Sequence, residues 1–343
     1  MQRIESVDCF RALAILAVMV IHSLPFADPG SAVGDAFDAA TLANQFARFA
    51  VPFFFVMTGF FWGVKADTRA HTVAVSITLG KRLLGLFVFW SLIYVLPFNT
   101  ELLFQHGLAG AAEAIGANFH AIADHPARVF FEGTKGHLWF LPALLCCLGV
   151  SAVLIAYDRA TPLLWLAIVL YAVGLLSKAY ADTPLGIAIE FNTRNGPFFG
   201  LIFYASGYLL SRHKPKDTWF AGGLALIVFG YVLQLVELDF LHSRFGTTMA
   251  QDYVVGTYFL GVGSAMMALS NQPFTRFPGL GVIGPLTLGI YAIHVALIEL
   301  LYPVRYLVLS PIWDIGFVLL VFCLSFTAVS ILARTRIGLR LVA

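Results

Sequence analysis

The sequence predicts an all-α, polytopic membrane protein of about ten transmembrane helices, with both termini cytoplasmic. Three observations predict this. The 343-residue chain is 59% hydrophobic and only 12% charged, with a mean hydropathy of +0.85, whereas soluble chains carry roughly 25% charged residues. Apolar runs long enough to cross about 30 Å of hydrocarbon recur along the whole length. When the loops are assigned to alternate sides, Lys and Arg divide fourteen against seven, and the richer side is the cytoplasmic one. A single membrane-embedded domain, residues 1–343, is expected. The net charge of +2 is too small to suggest nucleic acid. Cys9, Cys146, Cys147 and Cys323 show neither metal-ligand spacing nor a disulfide framework, so buried structural thiols are expected.

The first span, about 8–26, contains "DCFRALAILAVMVIHS". The following "HSLPFADPG" offers no small-residue cleavage site, so the span is read as retained. It carries Arg11 and His22. Eleven steps of roughly 100° return the two side chains to within about 20° of one azimuth, about 16 Å apart along the axis. One face therefore bears an Arg near the inner surface and a His near the outer end. Arg11 could instead snorkel to lipid headgroups, and His22 could merely satisfy a backbone carbonyl.

The second span, about 46–64, is aromatic ("FFFVMTGFFWG"). The third, about 80–98, opens with "GKRLLGL", placing Lys81 and Arg82 at its inner end near the level of Arg11. An ordinary positive-inside anchor is the alternative. In the outer loop 99–136, Ala112, Ile115, Phe119 and Ile122 share a helical face, which predicts a short helix on the outer interface. The fourth span, about 137–156, begins with His137 and Trp139 at its outer end, where a lone Trp would be an interfacial belt residue. The fifth is about 162–178. The sixth, about 196–211, is preceded by "IEFNTRNGPFFG", which brings Glu190, Arg194 and Asn195 to its outer mouth. The seventh and eighth are about 219–236 and 253–270. The ninth, about 281–303, holds His294 at nearly the depth of His22, and Glu299 either pairs with outer cations or is solvated at the helix end. The tenth is about 311–333. Asp28, Asp35, Asp38, Glu101, Glu113, Asp124 and Glu132 all fall on the predicted outer side. The polar signature of the first span has no counterpart in the sixth, which argues against a transporter-type repeat.

Ionisable residues at membrane depth default to functional hypotheses. The pattern has two poles: cations inside (Arg11, Lys81, Arg82), and a His-, Arg- and Asn-bearing pocket outside (His22, His137, Arg194, Asn195, His294). The inner pole suits a phosphate-bearing ligand arriving from the cytoplasm. The outer one suits general-base work on a hydroxyl. The separation of about 16 Å along the helix is close to the reach of a pantetheine arm, so acyl-coenzyme A fits both ends.

At these residues the chain resembles acyltransferase family 3, bacterial integral-membrane enzymes that O-acylate surface glycans. The resemblance covers nearly the whole chain. It rests most specifically on "RALAILAVMVIH" with its "ESVDCF" lead-in, then on "FFFVMTGFFWG", "HLWFLPALL" and "LGIYAIH". It implies that Arg11 and His22 are the family's essential pair and that Arg82 is the basic residue opening the third span. Family members often carry two arginines three residues apart, whereas Leu79 and Gly85 flank Arg82 here, with Lys81 as the candidate substitute. The resemblance is to the stand-alone type, without an extracytoplasmic hydrolase-like domain. It implies an O-acyltransferase of the bacterial inner membrane, moving an acyl group, taken as acetyl, from acetyl-CoA to a glycan or lipid-linked sugar. No metal is implied. In this reading His22 is the base and His294 orients the acceptor, or His294 is itself the base with His22 supporting it. Arg11, Lys81 and Arg82 hold the donor, and His137, Trp139, Glu190, Arg194 and Asn195 line the acceptor site. The rival classes are a proton-coupled transporter or glycan flippase, and a membrane sensor or scaffold whose polar residues only tie helices together.

Overall fold

The computed structural model describes residues 3–27 and 34–342. Asp28, counted above among the outer acidic residues, lies outside the described residues. The described residues form helices and no strand, in the order α1 (Glu5–Ser23), α2 (Ala39–Ala47), α3 (Ala50–Lys65), α4 (Arg69–Ile93), α5 (Thr100–Asp124), α6 (Pro126–Glu132), α7 (Phe140–Ala156), α8 (Ala160–Leu176), α9 (Pro197–Ser211), α10 (Thr218–Phe245), α11 (Val255–Leu269), α12 (Pro278–Gly281), α13 (Thr287–Leu300), α14 (Tyr302–Arg305), α15 (Pro311–Leu332) and α16 (Arg336–Val342). Backbone N–H and C=O groups have no partners in lipid, so an apolar chain of this kind satisfies them within helices.

Among the described residues, seven stretches are long and apolar enough to cross a membrane: Glu5–Ser23, Ala39–Lys65, Arg69–Ile93, Gly136–Ala156, Thr218–Phe245, Pro278–Leu300 and Pro311–Leu332. The remaining three predicted spans appear as shorter apolar helices, Ala160–Leu176, Pro197–Ser211 and Val255–Leu269. At about 1.5 Å per residue these reach roughly 22–26 Å, a little short of the hydrocarbon thickness. The protein is therefore an all-α membrane protein with seven candidate membrane-crossing helices among the described residues, and a helix overlaps each of the ten predicted segments.

The outer-loop expectation also corresponds to a helix. α5 kinks at Gly107, whose φ is +59°, and Asn118 ties it down by donating to the Val95 carbonyl at 2.9 Å. The third predicted segment begins late. Thr68 caps α4, its hydroxyl accepting from the His71 amide at 3.3 Å, so the helix starts eleven residues before the predicted span. Lys81 and Arg82 consequently lie mid-helix rather than at its mouth.

α1 is the hub, packing against α2, α3, α11, α12, α13 and α15. Glycines let neighbouring pairs approach closely, as in membrane helix contacts generally. A Cβ at Gly59 of α3 would stand 2.1 Å from the Tyr204 carbonyl oxygen of α9, and one at Gly207 of α9 would stand 2.0 Å from that of Val56. Buried polar groups fasten the rest. Gln234 donates to the Gln45 carbonyl at 2.8 Å and accepts from Thr257 at 2.8 Å, joining α10, α2 and α11. Glu237 accepts from the Val255 and Gly256 amides at 2.9 and 3.1 Å, a carboxylate set on the positive end of α11. The end of α1 is clamped by buried Arg305, which donates to the Leu24 carbonyl at 3.2 Å and pairs with Asp314. Asp314 in turn accepts from the Phe26 amide at 2.8 Å.

Candidate active site

A cavity of about 770 Å³ runs through the helix bundle, lined by Arg11 and Val18 of α1, Lys65 of α3, Arg82 of α4, Phe140 of α7 and Tyr291 of α13. Arg11, Val18 and His22 are seven and four residues apart, so they share one helical face. The predicted common azimuth is thus the face of α1 that looks into this cavity. Asp8, one turn before Arg11, holds the guanidinium at 3.1 Å and also pairs with Arg3 at 2.5 Å. Phe61 lies beneath Arg11, 5.2 Å from the guanidinium carbon. Arg11 is therefore fixed inside the protein and does not snorkel to lipid. Arg82 and Lys65 bring two further cations to the same cavity, both exposed to it.

Lys81 does not join them: it is exposed and does not line the cavity. Neighbouring helical residues point about 100° apart, so with Arg82 turned inward Lys81 faces away. Lys65 takes the place expected of it. The sequence signal for Lys65 was only its position at the end of the aromatic second span. Asp8 was readable as an i, i+3 partner of Arg11.

Beside the cavity, behind its lining residue Tyr291, three histidines converge from three helical elements. The rings of His22 and His294 are 5.1 Å apart, those of His137 and His294 5.4 Å, and those of His22 and His137 6.4 Å. Tyr291 joins the cavity to this cluster, because its hydroxyl donates to the His137 carbonyl and its ring lies 5.6 Å from that of His137. Tyr94 closes another side. It stacks edge-on to His137 at 4.8 Å and donates to the Ala292 carbonyl at 2.7 Å.

The tautomers of two of the rings follow from their partners, since a carbonyl oxygen only accepts. His294 Nδ1 lies 2.6 Å from the Tyr291 carbonyl, so it carries the proton and leaves Nε2 with a lone pair. His137 Nε2 lies 3.3 Å from the Ala292 carbonyl, which leaves the lone pair on Nδ1. Both lone-pair nitrogens are buried and without a partner among the described residues. His22 differs in keeping accessible surface although the other two rings press against it. It is the member of the cluster that a small molecule can touch.

The other predicted residues flank the histidines. Trp139 shares the one-turn helix Gly136–Trp139 with His137 and is buried, so it is no belt residue; the Arg194 guanidinium stacks over its ring at 4.8 Å. Asn195 donates to Glu132 at 2.8 Å, leaving its Oδ1 buried and unpartnered. Glu190 is not brought in. It is exposed and makes no ion pair among the described residues, because the stretch before α9 turns inward only from Thr193 onward. Glu299 pairs with Lys135 rather than standing solvated. Arg48, Lys178 and Asp252 were not singled out from sequence. They lie on three separate segments, and no local pattern links them.

The sequence profile of the family described as "Acyltransferase domain" matches residues 4–334. An amino-acid racemase of Enterococcus faecalis is 26% identical over 253 residues, covering 68% of this chain and 32% of the relative. A serine/alanine racemase of Enterococcus gallinarum is 27% identical over 251 residues, covering 70% and 33%. A second amino-acid racemase of Enterococcus faecalis is 25% identical over 358 residues, covering 98% and 47%. The chain spans between a third and a half of the length of these curated relatives. No solved structure gives a significant match. The family match takes in the hub helix with Arg11 and His22, the walls of the cavity and all three histidines, and by it the chain belongs to the acyltransferase-domain family.

Proposed function

We propose that the protein transfers an acyl group, acetyl in the first instance, from acyl-coenzyme A to a hydroxyl of a surface glycan or lipid-linked sugar. The observation that carries this reading is the cavity lined by Arg11, Lys65 and Arg82, with accessible His22 on the same face of α1 and its histidine cluster joined to the cavity wall through Tyr291. The racemase names belong to proteins more than twice as long as this chain and are not carried over. In this reading the chain crosses the bacterial inner membrane ten times with both termini in the cytoplasm. The cation pole then opens to the cytoplasm and the histidine pole to the outside.

Arg11, Lys65 and Arg82 would hold the donor's phosphates, with Asp8 fixing the orientation of Arg11. His22 would take the proton of the acceptor hydroxyl as its oxygen attacks the thioester carbonyl. The C–O bond forms, the C–S bond breaks, and the proton passes to the departing thiolate. His294, neutral and with its Nδ1 proton committed to the Tyr291 carbonyl, supports His22 through its free Nε2. Arg194 would donate to the developing oxyanion or the acceptor, and the free Oδ1 of Asn195 would accept from an acceptor hydroxyl. Cys147 is buried, and among the described residues no thiol joins the histidine cluster, which favours direct transfer.

The test is purified protein supplied with labelled acetyl-coenzyme A and a glycan acceptor. Label should move to the acceptor with equal release of coenzyme A. Absence of transfer, together with histidine-dependent solute passage in vesicles, would favour the carrier reading instead. Reporter fusions at Gly34 and Asp124 should read as extracytoplasmic and one at Lys214 as cytoplasmic. The opposite reading at Lys214 would reverse both poles.

A further inference from the structure

Beside the histidine cluster three cations converge on one carboxylate. Arg48, at the end of α2, reaches Asp252 at 2.9 Å; Lys178, after α8, reaches it at 2.8 Å; and Arg194, before α9, reaches it at 3.6 Å. Asn44 and Asn192 accept from Arg48 and Lys178 at 3.2 and 3.1 Å. Among the described residues no second carboxylate pairs with these cations. Glu132, the nearest acidic candidate on α6, is engaged by Arg128 and Asn195. The knot therefore carries two positive charges in excess.

A purely structural knot would carry matched charge, because uncompensated cations in a partly dry site repel one another and lose hydration. This one is also incompletely satisfied. Arg194 Nε, a donor, is buried without a partner among the described residues. The side chains remain reachable, with Lys178 and Arg194 each 24% exposed and Arg48 14%. Arg194 lies on Trp139, two residues from His137 of the histidine cluster.

We propose that Arg48, Lys178 and Arg194 form a recognition site for an anionic group, carboxylate or phosphate, carried by the acyl acceptor. The acceptor is thus an acidic sugar or a phosphate-bearing glycan rather than a neutral one. Asp252 holds the three cations apart in a fixed array, and Arg guanidinium forks meet an oxyanion in bidentate fashion. The identity of the ligand as acceptor rests on the acyl-transfer reading above; the anion site itself does not.

The experiment therefore measures binding without donor. Purified protein in detergent is titrated calorimetrically with methyl glucuronide, methyl glucoside and glycerol 3-phosphate. At least one anionic probe should bind at least about tenfold more tightly than the glucoside, the worth of one or two charge-assisted hydrogen bonds. Whichever anion binds better names the source, acidic sugar or phosphate. The preference should shrink at high salt and largely disappear in R194Q and in K178Q, while R194K keeps part of it. Equal affinity of wild-type protein for glucoside and both anions overturns the proposal, as does an undiminished preference in both glutamine variants. Preferential anion binding without any acyl transfer would leave the site standing and overturn the transfer reading instead.

Discussion

The cation-lined cavity and the histidine cluster beside it solve the burial of polar groups in opposite ways. In the cavity, Arg11 has one carboxylate, Asp8, and shares the space with Lys65 and Arg82, which keep accessible surface. Charge is tolerated there because the site is open and roomy. In the histidine cluster the rings are locked. His294 and His137 each lose one nitrogen to a backbone carbonyl and turn a bare lone pair inward. Only His22 remains accessible. An open cationic cavity suits a ligand that must enter and leave, and a rigid cluster of fixed tautomers suits proton transfer. The difference teaches that Arg11 and His22, although on one helical face, sit in separate and unlike polar environments.

The sharpest way to break that separation is at His22. His22→Gln keeps size and hydrogen bonding but cannot take a proton. It should reduce single-turnover acyl transfer by roughly two to four orders of magnitude, while coenzyme A binding to the same protein is retained. Near-normal turnover would move the base to His294.

Arg11→Ala should act in the other direction. Coenzyme A affinity measured by calorimetry should fall by about tenfold to a hundredfold, the range for lost charged hydrogen bonds. Arg11→Lys should recover only part, because a point charge cannot reproduce the guanidinium fork. Unchanged affinity in Arg11→Ala would take this residue out of the donor site.

A smaller effect is expected in pH dependence at the knot beside the histidines. Burial alone would raise the carboxyl of Asp252, but Arg48, Arg194 and Lys178 together hold it below the usual carboxylate range. A depressed folded-state value means its contribution to stability is fully present above the ordinary carboxylate value, roughly pH 4, and is lost as pH falls below it. Thermal melts of wild-type protein should therefore show this contribution constant from neutral pH down to that point. Asp252→Asn should melt lower across that plateau, and the gap to wild type should narrow in more acidic buffer. A gap independent of pH would show that the carboxylate charge is not what holds the three cations.

The smallest effect should come from Lys81. It faces away from the cavity, so Lys81→Gln should change coenzyme A affinity by less than about threefold, as for solvated charges generally. Lys65→Gln should exceed it. The reverse order would restore the position inferred from sequence and displace Lys65.

Much of this was legible along the chain. Hydropathy alone pointed to the helical membrane class, because a chain in lipid must satisfy its backbone hydrogen bonds within helices; it did not set the helix bounds, and α4 begins at Arg69 rather than near residue 80. The 3.6-residue period alone put Arg11 and His22 on one face, and the local stretches around them carried the family resemblance. Pairings between helices were not legible. Whether Lys81 or Lys65 reaches the cavity depends on where α4 begins and how it is rotated against its neighbours, which the Thr68 cap and packing decide. That His137 and His294 meet His22 follows from α13 packing beside α1 and from the one-turn helix Gly136–Trp139 that bears His137, at separations of more than a hundred residues. Asp252 gathers Arg48, Lys178 and Arg194 from three loops and helix ends that share no periodic pattern. Local periodicity sets which way a side chain leaves its own helix, and only the packing of helices against one another sets what it meets.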